Sequence, residues 1–279
     1  MIVEAPAKLN LCIYLGPRRP DGLHELVSIF CPLTLADRIE VAEAEADDVI
    51  CAGVEGPNLA AAALTGLRER DWSRPPVRIE IEKRIPVAAG LGGGSADAAA
   101  VLRLAAGEVE GLEELAAELG ADVPSQLDPV PALVGGAGER VEPIAPPGEV
   151  GVIGLASDRG LATAEVYAAA DRLGIGRTAE ELRVIERRLR EAADGGGSPL
   201  AYAELLRNDL EQAALALRPE IGERLAALRG AGAEVAMVAG SGPTAVGLFG
   251  TLATAESAFE ELEGRWGGTF VAALGGARA

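Results

Sequence analysis

Along residues 77–82 apolar and polar positions alternate, Val77, Ile79 and Ile81 being separated by Arg78, Glu80 and Glu82, which predicts a strand with one face on a core and one in water. A looser alternation over residues 2–15 predicts a first strand that stops at Gly16-Pro17, and residues 27–35 and 39–41 predict two more. The period then lengthens. Residues 96–106 are alanine-rich and predict a helix, and residues 112–119 predict a second one stopped by Gly120. Thr178-Ala179-Glu180-Glu181 reads as a capping box before a charged amphipathic helix that ends at Gly195-Gly196-Gly197. Pro199 and Pro219 suit first helical positions, and strands are predicted at 235–238 and 244–249 around Gly240-Ser241-Gly242-Pro243. Both halves mix strands with helices, no period repeats, and composition shifts near residue 150. The expectation is an α+β chain with two lobes, residues 1–150 and 151–279, sharing a cleft.

Composition narrows the function classes. Hydrophobic residues make up 49% of the 279 and charged residues 24%, so the chain folds, while aromatics at 3% leave its core to aliphatic and alanine packing. The formal net charge of -18 repels nucleic-acid backbones and anionic lipid, and no basic block offers a local exception, so neither partner is expected. Cys12, Cys31 and Cys51 are odd in number and widely spaced, which argues against both a disulfide framework and a zinc site. The start of the chain lacks the basic and apolar regions of a signal peptide and no apolar stretch reaches membrane-spanning length, giving a cytoplasmic expectation. Only Lys8 and Lys83 among the 25 basic residues are lysine, which marks both as candidates for a chemical role; coding bias with two survivors is the other reading.

An acidic protein that binds an anion needs local donors, and one segment supplies them. Pro86-Val87-Ala88-Ala89-Gly90-Leu91-Gly92-Gly93-Gly94-Ser95-Ala96-Asp97 follows a predicted strand and precedes a predicted helix, with Ser95 as its expected N-cap. Backbone N–H groups there, backed by the helix macrodipole, suit a triphosphate. The segment is not a Walker loop, since no Gly-Lys-Ser/Thr follows, and it lacks the last glycine of a dinucleotide fingerprint.

With that loop, the chain resembles the GHMP small-molecule kinases. The likeness also rests on Pro6-Ala7-Lys8-Leu9-Asn10-Leu11 with Asp21-Gly22-Leu23-His24-Glu25, and on Gly240-Ser241-Gly242-Pro243-Thr244. It implies a ribosomal-protein-S5-like N-terminal lobe, a smaller ferredoxin-like C-terminal lobe, and an enzyme using ATP with Mg2+. Gly120-Ala121-Asp122-Val123-Pro124 and Asn208-Asp209-Leu210-Glu211 are similar to the branch of that family whose small-molecule substrate is cytidine diphosphate methylerythritol, phosphorylated on its 2-hydroxyl for isoprenoid precursors.

The resemblance places Lys8 and Asp122 as the catalytic pair, a carboxylate to take the hydroxyl proton beside an ammonium that offsets phosphoryl charge. Read from the residues alone, Lys8 fits a strand-end surface lysine and Asp122 a helix cap ahead of Val123-Pro124. The nucleotide contacts implied are Pro86, Val87, Ala88, Ala89, Gly90, Leu91, Gly92, Gly93, Gly94, Ser95 and Ala96; those to substrate are Asn10, His24, Thr163 and Tyr167. His24 and Tyr167 would read the cytosine ring, and Ser241 and Thr244 would support the phosphate or acceptor end from the other lobe. No protein cage for a metal is legible, and the oligomeric state stays open. Two departures from the family pattern stand out: Leu23 occupies a place commonly held by tyrosine, and Gln126-Leu127-Asp128-Pro129-Val130-Pro131 is unusual after Asp122. Another acceptor within the family, such as homoserine or a sugar, and a non-catalytic nucleotide sensor are the alternatives.

Overall fold

The computed structural model describes residues 1–54, 56–157, 159–262 and 264–275. Two long strands form its spine. β1 (Ile2–Arg18) pairs antiparallel with β2 (His24–Glu43), from Ile2 opposite Glu40 to Arg18 opposite His24. The two strands expected at 27–35 and 39–41 are therefore one, and β1 runs on through Gly16-Pro17 instead of stopping there. Cross-strand pairing overrides the local signal: Tyr14 and Leu15 face Val27 and Leu26, and the proline without an N–H falls in a register irregularity between Leu15 and Arg18.

Around this hairpin come β3 (Asp48–Cys51), α1 (Leu59–Glu69), β4 (Val77–Glu82), α2 (Gly93–Arg103), α3 (Leu112–Leu119), α4 (Pro124–Leu127), β5 (Ala132–Gly135) and β6 (Arg140–Pro143). The strands make one sheet in the order β3-β4-β2-β5-β6, with β1 paired to β2. β4 has the alternation read from its sequence, Val77, Ile79 and Ile81 buried and Arg78, Glu80 and Glu82 exposed. α1 and α2 pack over that face through small side chains: Ala60, Ala63 and Leu67 lie with Ala96, Ala99 and Ala100, and Trp72 is the aromatic buried in this core. Alanine at these contacts lets helix and sheet approach closely in a chain poor in aromatics.

A second group follows: β7 (Gly151–Leu155), α5 (Thr163–Leu173), α6 (Ala179–Ala193), a 3-10 turn (Pro199–Leu205), α7 (Glu211–Leu217), α8 (Ile221–Gly230), β8 (Val235–Val238), β9 (Ala245–Phe249), α9 (Leu252–Leu262) and β10 (Thr269–Ala273). Its four strands form an antiparallel sheet in the order β10-β7-β9-β8, the ferredoxin-like arrangement. The capping box is present, Glu181 N–H donating to Thr178 Oγ1 at 3.2 Å and Thr178 N–H to Glu181 Oε2 at 2.8 Å. Pro199 opens the 3-10 turn as expected, whereas Pro219 lies two residues before α8, in a turn where its carbonyl accepts from Gly222 N–H at 3.0 Å.

The two sheets share one core. Leu9, Leu11 and Leu33 of the first group pack with Val152, Val246 and Leu248 of the second and with Leu189 of α6. A polar joint reinforces it: Asp209 accepts from Leu15 N–H at 3.0 Å and from both Arg177 Nε and Nη2, at 2.8 and 2.7 Å. No helix of the described residues is long and apolar enough to cross a membrane. All three cysteines are free, and burial pushes the Cys12 and Cys31 thiols up to about 12.

Candidate active site

Lys8 and Asn10 are two apart on β1 and so share a face, while Leu9 and Leu11 between and beside them fill the core. Register shifts on either side, between Pro6 and Lys8 and between Asn10 and Cys12, re-aim this stretch relative to a regular ladder. Lys8 Nζ donates to Asn10 Oδ1 at 2.7 Å, stands 3.1 Å from Asp122 Oδ2 and lies 4.2 Å from the centre of the Phe30 ring. Asn10 Nδ2 in turn donates to Ser28 Oγ at 3.0 Å. Only 6% of Lys8 is exposed, which removes the reading of a strand-end surface lysine. A buried ammonium needs a partner, and Asp122 is that partner. Asp122 caps nothing: the residue before α4 is Val123, without a side-chain cap bond, and the Asp122 carbonyl accepts from Ser125 Oγ at 2.8 Å while its carboxylate turns to Lys8.

The glycine loop is joined to the same strand, since Lys8 N–H donates to the Leu91 carbonyl at 2.9 Å. Gly90 and Gly92 have φ of 76° and 68°, in the left-handed region. Both are also closely approached: a Cβ on Gly90 would run into the Ala239 carbonyl oxygen, and one on Gly92 would sit 2.9 Å from Lys8 Cγ. These two positions require glycine. Gly92, and not Ser95, is the N-cap of α2, because the left-handed turn brings the chain into the helix three residues early; Ser95 is the third helical residue. The first intrahelical bond runs from Ala96 N–H to the Gly92 carbonyl at 2.9 Å, and the Ala96 side chain is wholly buried, so Ala96 lies behind the site. The amides of Gly93, Gly94 and Ser95 precede that bond, and with the macrodipole they form an anion cradle.

Residues 86–95, Lys8, Asn10, Asp122, Thr163 and Tyr167 all line one cleft of about 540 Å³. Thr163 opens α5, with its Oγ1 2.9 Å from Ser241 Oγ. One turn later Tyr167 has its hydroxyl pushed up to about 12, by burial and then by the charge of Asp122. His24 does not line the cleft itself. Its buried ring lies behind Tyr167, with centroids 5.4 Å apart, and its Nε2 is 2.8 Å from Asp171 Oδ1. Leu23 is 54% exposed on the preceding turn, and the Thr244 hydroxyl is buried without a partner and does not line the cleft, so it is not at the phosphate or acceptor end expected of it.

Sequence reasoning left several cleft residues unread. Asn58 and Leu59 at the start of α1, Cys51 at the end of β3 and Val54 after it line the cleft from a stretch that carries no motif. Lys83 and Asp97 line it too; the scarcity of lysine was the one signal that pointed there. Lys83 Nζ bonds Asp37 and, at 2.7 Å, Asp97. Burial raises the Asp97 carboxyl, Lys83 lowers it in part and Asp37 raises it further, to about 7.

Comparison with known proteins gives the family. Residues 58–136 match the GHMP kinases N terminal domain and residues 184–268 the GHMP kinases C terminal domain. The chain is 37% identical, over 97% of its length and 94% of the relative's, to the 4-diphosphocytidyl-2-C-methyl-D-erythritol kinase of Mesorhizobium japonicum. It is 40% identical to the protein of the same name from Streptomyces coelicolor, over 87% of this chain and 85% of that one. A crystal structure of 4-(cytidine 5'-diphospho)-2C-methyl-D-erythritol kinase superposes with a TM-score of 0.81 at 37% identity, covering 99% of this chain and all of the other. Homoserine kinase from Cytophaga hutchinsonii, 16% identical with a TM-score of 0.68, covers 98% of this chain and 94% of its own and shares the fold. The chain thus belongs to the GHMP kinase family, on the branch of the 4-diphosphocytidyl-2-C-methyl-D-erythritol kinases.

Proposed function

We propose that this chain transfers the γ-phosphoryl group of ATP to the 2-hydroxyl of 4-diphosphocytidyl-2-C-methyl-D-erythritol. One observation carries the chemistry: a buried lysine and a carboxylate 3.1 Å apart in the same cleft as a glycine-rich helix start with no side-chain cap bond. The amides of Gly93, Gly94 and Ser95 hold the triphosphate. Asp122 accepts the hydroxyl proton as that oxygen attacks the γ-phosphorus, the bond to the β–γ bridging oxygen breaks, and ADP leaves with the electron pair. Lys8 stands where negative charge gathers on the transferring oxygens. Residues 1–150 form the lobe that carries this machinery, and residues 151–279 bring Thr163, Tyr167 and Ser241 to the acceptor side.

A magnesium ion travels with the nucleotide in this reading. No group of three His, Cys, Asp or Glu side chains among the described residues could hold a metal, so the donor set fits a cation carried on phosphate oxygens and water, with the Ser95 hydroxyl in the cleft available to it. Bound there, the ion would supply positive charge to screen the phosphate oxygens. At the other end Thr163 contacts the substrate diphosphate, and Tyr167, backed by His24, presents an aromatic face to cytosine. Asn10 holds Lys8 and offers its amide edge to the acceptor.

ADP release, coupled to an absorbance readout, is compared with 4-diphosphocytidyl-2-C-methyl-D-erythritol, homoserine and galactose as acceptors. Turnover is expected with the first alone; turnover only with the other two overturns the assignment.

A further inference from the structure

Lys83 has no place in the chemistry above, yet it is one of two lysines in the chain and sits at the foot of the glycine loop. Its ammonium binds two carboxylates, Asp37 on β2 and Asp97 on α2, the second at 2.7 Å. Asp37 is wholly buried, and its other oxygen accepts from Arg84 N–H at 2.6 Å and Ile85 N–H at 2.8 Å, the two amides through which the chain enters the loop. Asp97 lies in the first turns of α2, through which the chain leaves it. The lysine also fills the space beneath the helix start, its Nζ 3.3 Å from where a Cβ of Gly93 would be.

We propose that Lys83 is a positioning residue for phosphoryl transfer: through Asp37 and Asp97 it clamps the entering and leaving stems of the glycine loop at the separation that lets the loop amides converge on the nucleotide phosphates. The inference rests on the reading of that loop as the phosphate cradle. The middle of the loop is anchored, Ala89 and Leu91 being buried in the core and the Leu91 carbonyl accepting from Lys8 N–H, while Val87 and Ala88 are exposed, so the spacing between the two stems falls to the clamp. Lysine suits the place because a compact ammonium reaches two carboxylates at once, where a planar guanidinium would need the space that Gly93 occupies. A shift of the loop by about 1 Å is enough to cost a large factor in rate or binding.

Removing Lys83 alone would strand two buried carboxylates, so the test uses Lys83→Met with Asp97→Asn. Together these delete one positive and one negative group and leave the formal charge of the cluster unchanged. The double variant is expected to keep Tm within a few degrees of the parent, to raise KM for ATP about tenfold or more, and to leave KM for the alcohol acceptor within about twofold. Faster hydrogen exchange of the amides at 90–95 should accompany it. Unchanged KM for ATP, or a parallel rise for both substrates, overturns the proposal, since a lysine that only neutralised charge would be dispensable here. Should the double variant not fold, Asp97→Leu, which cuts only the tie to α2, carries the same expectation and the same refutation. Absence of any MgATP binding by the parent protein would instead defeat the reading of the loop itself.

Discussion

Lys8 and Asp122 illustrate what residue identity alone does and does not determine. Each had a plain alternative in the sequence, and what removes it is the 3.1 Å contact across 114 positions of chain together with the burial of the lysine. Asp122→Asn keeps the shape and removes the base, so kcat is expected to fall by at least ~10²-fold with MgATP binding nearly intact. Calorimetric titration beside steady-state rates checks both halves, and near-normal turnover would remove Asp122 from the proton path. Lys8→Met is expected to act in the same direction. The cysteines offer an independent check, because thiols pushed up to about 12 by burial should resist alkylation in the folded protein; rapid labelling of Cys12 or Cys31 at about pH 8 would contradict the packing. The scarcity of lysine pointed to Lys8 and Lys83 together, but only the fold shows that one faces the cleft chemistry and the other the base of the loop.

At the scale of elements, short-range signals read well where they are self-contained. The alternation of β4, the capping box of α6 and the stop of α3 at Gly120 were all legible, since each depends on residues within a few positions of one another. Thr178→Ala should accordingly cost about 1 kcal/mol, measured by denaturant unfolding. Elements set by distant partners were not legible. β1 and β2 outrun their turn signals because they pair with each other, and β7, buried along all five residues, has no alternation to read. The glycine loop lies between these cases: its chemistry was plain, its cap was not, since Ser95 offers a cap side chain while Gly92 alone offers the backbone angle. Two substitutions separate the roles of its glycines. Gly92→Ala places a methyl 2.9 Å from Lys8 Cγ at a φ of 68°, so both Tm and ATP affinity should drop. Gly94→Ala meets nothing nearer than Leu59 Cδ1 at 3.8 Å within the helix and should raise stability by about 0.5–1 kcal/mol. A reversed order of the two Tm values would refute this account of the loop.

The whole molecule joins an acidic chain to a cleft whose two lysines are paired with carboxylates and whose anion donors are backbone amides, and its two sheets meet in one core in which Asp209 holds β1 to Arg177. That joint was visible in sequence only as the Asn208-Asp209 motif, because its partners Leu15 and Arg177 are remote in the chain. Global stability should carry the mark of Asp97. Its carboxyl is raised by burial, in part opposed by Lys83, to about 7 from an ordinary 3.8, so the folded state binds this proton more tightly than the unfolded chain. The contribution is complete below the ordinary value and is lost as pH rises through about 7. Comparing the unfolding free energy of parent and Asp97→Asn between about pH 4 and about pH 8 isolates it, and identical slopes would contradict the burial of that charge. For the central claim the most direct measurement is 31P NMR of the product formed from ATP and 4-diphosphocytidyl-2-C-methyl-D-erythritol. The carbon at position 2 bears a methyl group and no hydrogen, so transfer to its hydroxyl predicts a new phosphomonoester resonance without proton splitting, growing in step with ADP. A split resonance, or ADP formed with no new monoester, would contradict the account.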